Sequence, residues 1–207
     1  MYTPRFNEVT DRVTLLEAMR AYPFALLFGP LANQDGLRPS TATHLPLVIR
    51  EDDDQLVIEG HFARANPHWS LLDGHETLVV FSGPHSYVSP SFYTEPLSVP
   101  TWNYIAVHAQ GILRAVHDEA EKDTLLAGLI QTNEPAYLAQ WRSLPDTFRH
   151  RMLGGIVGFR ISVSRLEGKF KLSQNRSEAE RSNIRAAQAA GTPDERALAS
   201  WMQRLGL

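Results

Sequence analysis

Cysteine is absent from the 207 residues, which excludes disulfides, thiolate zinc sites, iron–sulfur clusters and thiol nucleophiles. Lysine is nearly absent: of 20 cations only Lys122, Lys169 and Lys171 are lysines, and seventeen are arginines. No window approaches the roughly 20 apolar residues of a membrane span, and the opening MYTPRFNEVTDRV lacks the apolar core of a signal peptide, so a cytoplasmic protein with no membrane partner is expected. Excess charge is lacking as well. A formal net charge of −3 argues against bulk, nonspecific nucleic-acid affinity, which rests on clustered positive charge. P-loop, HExxH and GxSxG motifs are all missing, and Gly154-Gly155-Ile-Val-Gly158 enters a strand after a helix, the reverse of the dinucleotide-binding order. His61, His68 and His75 recur at seven-residue intervals but straddle different elements, so no metal site is assigned and no catalytic residue is identified.

What is present reads as an ordinary globular chain, 43% hydrophobic and 21% charged. A helix is expected from about Glu8 to Ala21, ended by Tyr22-Pro23 because the residue before proline disfavours helical geometry. Four β-like runs follow, Ala25–Phe28, Ala42–Ile49, Gln55–Gly60 and Thr77–Phe81, with turns at Asn33-Gln-Asp-Gly36 and Glu51–Asp54. The four prolines of Gly83–Pro100 suggest a structured loop. A long strand is predicted over Thr101–Val116, with a bulge or bend at Gly111. Helices are predicted over Asp118–Asn133 and Pro145–Leu153. Ile156–Leu166 alternates with one apolar face, as a strand does. Ser177–Glu180 and Thr192–Glu195 match the capping box and start two C-terminal helices. The expected class is α+β, built on a barrel-like antiparallel sheet with a helical C-terminal tail.

Three segments concentrate chemistry. GHFARANPHW (Gly60–Trp69) supplies His61, Arg64 and Asn66 at a strand end, where the planar guanidinium suits a phosphate; a solvated turn would use the same residues to change direction. FSGPHSYVSPSFY and PTWNYIAVHAQG bring Tyr87, Phe92, Tyr93, Trp102 and Tyr104 close in sequence, either to line a planar-ligand pocket or to clamp a loop on the core. In EGKFKLSQNRS (Glu167–Ser177), a continued strand would send Lys169, Lys171 and Ser173 to one face and Phe170 and Leu172 to the other. Two lysines and a hydroxyl suit an anion or a ring nitrogen and carbonyl, with Gln174, Asn175 and Arg176 adding donors; a charged edge strand that discourages aggregation is the alternative.

Together and in this order, MYTPRF, ATHLPL, GHFARANPHW, GPHSYVSPSFY, VPTWNYIAVHAQG, GIVGF and EGKFKLSQNRS resemble the PaiB family of FMN-binding negative transcriptional regulators, over roughly residues 1 to 181. Phe92 stands where tryptophan is usual and Glu180 where aspartate is expected. The resemblance implies an FMN-binding split β-barrel similar to pyridoxine phosphate oxidase, over residues 1–181, with a helical tail, 182–207, on the same domain or on a dimer partner. It further implies a homodimer with two FMN sites at the subunit interface. The phosphate role then falls to Arg64, supported by His61 and Asn66. Lys169, Lys171, Ser173, Gln174 and Asn175 become candidates to approach the ring or the phosphate, and Trp102, Asn103 and Tyr104 to shape the interface. Flavin would serve a repressor as a redox or regulatory ligand; the alternative is a flavin-dependent oxidoreductase acting on an unidentified small molecule. Direct DNA binding is not expected: the last helix begins with Asp194-Glu195, and its Leu198, Trp201, Met202 and Leu205 recur at the spacing of a docking face.

Overall fold

The computed structural model describes residues 1–29, 32–33, 36–37, 41–52 and 55–207, with side chains described for all but 32–33, 36–37 and 52. In chain order the elements are a 3-10 turn Arg5–Asn7, β1 (Glu8–Val9), α1 (Arg12–Ala21), β2 (Phe24–Phe28), β3 (Ala32–Asn33), β4 (Gly36–Leu37), β5 (Ala42–Pro46), β6 (Val48–Asp52), β7 (Gln55–Ala63), α2 (His68–Leu72), β8 (Glu76–Val88), β9 (Thr101–Val116), α3 (Glu119–Asn133), α4 (Tyr137–Ser143), α5 (Asp146–Gly154), β10 (Ile156–Lys171), α6 (Glu178–Ala189) and α7 (Pro193–Arg204). They form two compact units: Met1–Ala21, Ser82–Val107 and Glu167–Leu207 make the first, Tyr22–Phe81 and His108–Leu166 the second.

The second unit carries most of the sheet, in the order β5-β2-β8-β9-β10-β7-β6. Its registers are antiparallel, Leu27 opposite Val79, Ile58 opposite Ile161 and Val157 opposite Phe62. The alternation predicted for the last strand is seen: Val157, Phe159 and Ile161 are fully buried, and Phe159 meets Phe62 with ring centroids 5.0 Å apart. Each such side chain stabilises the fold by about 2 kcal/mol through removal of apolar surface from water. β9 runs unbroken through Gly111, where a Cβ would stand 2.1 Å from the Ser162 carbonyl oxygen; close backbone approach explains this glycine. α3 starts at the Asp118 cap, whose carboxylate accepts from the Glu121 amide. Of the turns expected at Asn33–Gly36 and Glu51–Asp54, residues 34–35 and 53–54 lie outside the described residues; the pairs Asn33–Gly36 and Asp52–Gln55 flank them, and Glu51 and Asp52 belong to β6 instead, where they pair with Leu56 and Gln55.

In the first unit β1 pairs with the end of β10, Glu8 opposite Lys169, and α1 packs Leu15 against Gly168. α1 begins at Arg12 rather than Glu8, because Asp11 accepts from the backbone and hydroxyl of Thr14 and so fixes the first turn. β8 extends to Val88, where a loop was expected from Gly83. The alternation continues through the proline, with Pro84, Ser86 and Val88 buried and His85 and Tyr87 exposed. Both capping boxes form, at Ser177 and Thr192. α7 buries Leu198, Trp201 and Met202, and the Trp201 ring meets the fully buried Phe170 edge-on at 5.5 Å. α6 is tied down by Gln188, which donates to the Ser86 hydroxyl at 2.9 Å, and by Asn183, which donates to the Phe92 carbonyl.

Candidate functional site

β10 fixes the most distinctive side chains of the first unit. As its alternation continues past Gly168, Phe170 and Leu172 enter the core with no exposed surface, and the intervening Lys169 and Lys171 are turned to the opposite face. Extended geometry stops at Ser173, which has φ of 63°, alone in the left-handed region among the described non-glycine residues. Strain there is offset by hydrogen bonds. The buried Ser173 hydroxyl donates to Asn103 Oδ1 at 2.9 Å, Gln174 Oε1 accepts from the Leu172 amide at 2.7 Å, and Gln174 Nε2 donates to the Phe170 carbonyl. Gln174 therefore builds the turn that ends the strand, and Arg176 leaves it stacked on the Tyr93 ring, 3.7 Å from the centroid.

These residues border a cavity of about 650 Å³, within the range of small-molecule sites. Lys169, Lys171 and Arg176 line it together with Tyr2, Phe6, Trp102 and Tyr104; Ser173 and Asn175 complete the β10 side. Lys169 donates to the Tyr2 carbonyl at 3.1 Å and lies 5.5 Å from the Tyr2 and Tyr104 ring centroids. Lys171 donates to the Thr101 hydroxyl and, at 2.6 Å, to the Trp102 carbonyl. Burial pushes the Lys171 ammonium below the ordinary lysine value, and the positive charges of Lys169 and Arg176 push it further. None of the three cations has a carboxylate partner among the described residues. Beyond Arg176, Glu180, 5% exposed, accepts from the Thr94 amide and hydroxyl and from the Ser177 amide. Burial raises its pKa, but these hydrogen bonds outweigh burial and hold it below the usual carboxylate value.

The remaining predicted residues lie in the second unit and are engaged differently. Arg64 Nε donates to the Gly154 carbonyl at 2.6 Å and its terminal nitrogen to the Ile156 carbonyl at 3.1 Å, so it satisfies one carbonyl that the end of α5 leaves open and one at the start of β10. Lys122 does the same for Leu153 at 2.6 Å. Asn66 builds its own turn, accepting from the His68 amide and donating to Thr43. His61, on β7 opposite Gly158, is half-buried, and burial pushes its pKa down. The expected residues thus divide: Trp102, Asn103, Tyr104, Lys169, Lys171, Ser173, Gln174 and Asn175 belong to the first unit, and His61, Arg64 and Asn66 to the second.

The cavity suits a phosphorylated flavin on grounds of its own chemistry. A dianionic phosphate and electron-rich carbonyls call for cations without competing carboxylates, and a tricyclic ring calls for aromatic walls. Asn7 adds a discriminating feature that the sequence did not flag: it is 2% exposed, lines the cavity, and its Oδ1 has no hydrogen-bond partner among the described residues. A buried acceptor left open is costly unless a ligand donor meets it, and an isoalloxazine ring carries one N–H among its polar edge atoms.

Comparison with known proteins agrees. A family model described as "Putative FMN-binding domain" matches residues 1–165. Over 207 aligned residues, covering 98% of this chain and 97% of its relative, the sequence is 34% identical to Protease synthase and sporulation protein PAI 2 of Bacillus subtilis (strain 168). That alignment takes in the Lys169–Arg176 segment, which lies beyond the family-model match. Among solved structures, an FAD and heme binding protein from Mycobacterium smegmatis superposes with a TM-score of 0.61 at 16% identity, covering 90% of this chain and 81% of that one. The flavocytochrome Anf3 from Azotobacter vinelandii gives 0.59 at 18% identity, covering 82% and 72%. At these identities the structural likenesses establish the fold alone, an antiparallel split barrel with peripheral helices. The chain belongs to the FMN-binding domain family, and FMN is its cofactor.

Proposed function

We propose that the protein is an FMN-binding homodimer of the PaiB type, acting in the cytoplasm as a negative transcriptional regulator with the flavin as its redox-responsive or regulatory ligand. The observation that carries this reading is the cavity in which Lys169, Lys171 and Arg176 face aromatic walls and the open acceptor of Asn7 with no carboxylate among them. The near full-length relative named for protease synthesis and sporulation supports the regulatory part. The exposed side chains of Tyr2, Leu97, Val99 and Trp102 support the dimer, because they supply apolar surface for a second copy beside the cavity. In that dimer Lys169, Lys171, Ser173, Asn175 and Tyr104 hold and orient the flavin, Asn103 and Gln174 shape the turn beneath it, and Arg64, His61 and Asn66 present their remaining donors from the strand end after β7. When bound, FMN supplies reversible acceptance of electrons.

α7 spends its apolar face on Phe170 and its neighbours, so the regulator acts through a partner rather than by reading bases itself. Purified protein is expected to show flavin absorbance and a dimer mass in light scattering. Arg64→Ala with Lys169→Ala should abolish FMN uptake, as read by quenching of flavin fluorescence; unchanged affinity overturns the site. Rapid anaerobic bleaching by NADH or NADPH, followed by turnover with an electron acceptor, would replace the regulator with an oxidoreductase.

A further inference from the structure

Lys169 and Lys171 are engaged by hydrogen bonds and Arg176 by a ring, and none of the three has an ion-pair partner among the described residues. Lys169 meets a carbonyl and two tyrosine rings, Lys171 a hydroxyl and a carbonyl, and Arg176 the face of Tyr93. Each of these partners is neutral. A carbonyl or a ring stabilises a cation locally without cancelling its field, and that field is screened less in a partly buried site than in water. Arg50 and Arg160, by contrast, converge on the carboxylate of Glu59. The cavity therefore favours whichever form of its ligand carries more negative charge.

FMN offers two such forms. A hydride donor such as a reduced nicotinamide delivers two electrons and one proton to N5 of the oxidised ring and leaves as the oxidised nicotinamide. N1 stays unprotonated, so the reduced ring carries one more negative charge, spread over its N1 and C2 carbonyl edge. We infer that Lys169, Lys171 and Arg176 bind reduced, anionic FMN more tightly than oxidised FMN, so that the flavin's oxidation state sets how much of the protein is occupied. This rests on FMN filling the cavity as proposed above, with its ring rather than its phosphate beside the cations. Differential affinity is what converts a ligand into a signal: a flavin bound equally in both states would shift nothing. By linkage, tighter binding of the reduced form makes the bound flavin easier to reduce than the free one.

The test is an anaerobic potentiometric titration of the full-length protein loaded with FMN, beside FMN alone, using dithionite and an indicator dye. A preference of about a hundredfold for the reduced form is expected, which moves the midpoint about 60 mV positive of free FMN, at about 30 mV per tenfold for a two-electron couple. Lys169→Met and Lys171→Met should each return about tenfold of that preference, and Lys169→Arg should restore it, a rescue that a folding defect would not give. A bound midpoint equal to or negative of free FMN overturns this inference and leaves the FMN site standing. Absence of fluorescence quenching by oxidised FMN together with absence of binding under reduction overturns both.

Discussion

Two groups of cations, one in each unit, are treated in opposite ways. In the second unit Glu59, 8% exposed, accepts from Arg50 at 2.5 Å and from Arg160 at 3.0 Å, and Glu121 takes the other side of Arg160. Arg64 and Lys122 there donate to the open carbonyls of the last turn of α5. In the first unit the cations of the cavity have neutral hydrogen-bond and ring partners, and the fold that pairs charges with a carboxylate in one place leaves three without an ion pair in another. Conventional residue counting would rank Arg64 with Lys169 as equal anion ligands. Their partners separate them: Arg64 already gives two nitrogens to carbonyls and has only its remaining donors to offer, whereas Lys169 has a carbonyl and two rings as its partners.

Three changes test that contrast. The largest effect is expected from Glu59→Leu, which strips both arginines of their shared carboxylate. Because Arg50 and Arg160 keep 47% and 36% of their side-chain surface in water, they rehydrate, and the loss should be about 2 kcal/mol rather than the full value for a buried pair. Urea unfolding measures it, and a midpoint unchanged from the parent would show that the second unit's charges are not structural after all.

Lys171→Met should act in the reverse direction. The folded pKa of Lys171 lies below its unfolded value, so between the two the unfolded chain binds more protons and stability rises with pH. Removing the group should stabilise the ligand-free protein by about 1 kcal/mol near neutral pH, where the charged form is penalised, and flatten the alkaline limb, while FMN affinity falls. A destabilised variant with the pH slope intact would return Lys171 to the structural class.

The smallest effect concerns His68, also a buried base, but one satisfied while neutral: it is 3% exposed, and Nδ1 lies 2.8 Å from the Thr43 hydroxyl oxygen. Burial lowers its folded pKa, so stability is present above the ordinary histidine value and is lost as pH falls below it. His68→Gln should flatten that acid limb by a fraction of about 1 kcal/mol in thermal unfolding. An unchanged slope would mean that the histidine binds protons equally in the folded and unfolded states.

Where side-chain periodicity carried the information, the sequence was readable. The alternation of β10, the span of β9 and the two capping boxes follow from local rules, and so do the burial of Phe170 and Leu172 and the placing of Lys169 and Lys171 opposite them. β8 runs on beyond Gly83 despite its prolines, because Pro84, Ser86 and Val88 maintain the alternation that proline content alone conceals. α4 is a short helix, Tyr137–Ser143, with no side-chain cap to announce it. The expected face for Ser173 assumed an extended chain, whereas the turn is set by Asn103 and Gln174, residues far and near that periodicity does not weigh together. Asn7 was invisible for another reason: a residue in a short extended start has no pattern, and only the surrounding burial reveals its open acceptor. Arg64 has a long side chain whose target depends on where α5 ends, which spacing alone does not state.

The sixteen residues of β10 also act as a counter of odd and even. A substitution at one position costs one contact. Insertion of a single codon between Ile161 and Gly168 exchanges every face downstream of it, sending both lysines toward the core and Phe170 and Leu172 toward the cavity. The cofactor site and the hydrophobic core at this end of the strand are thus two readings of one frame, and a change of length too small to break either would trade one for the other.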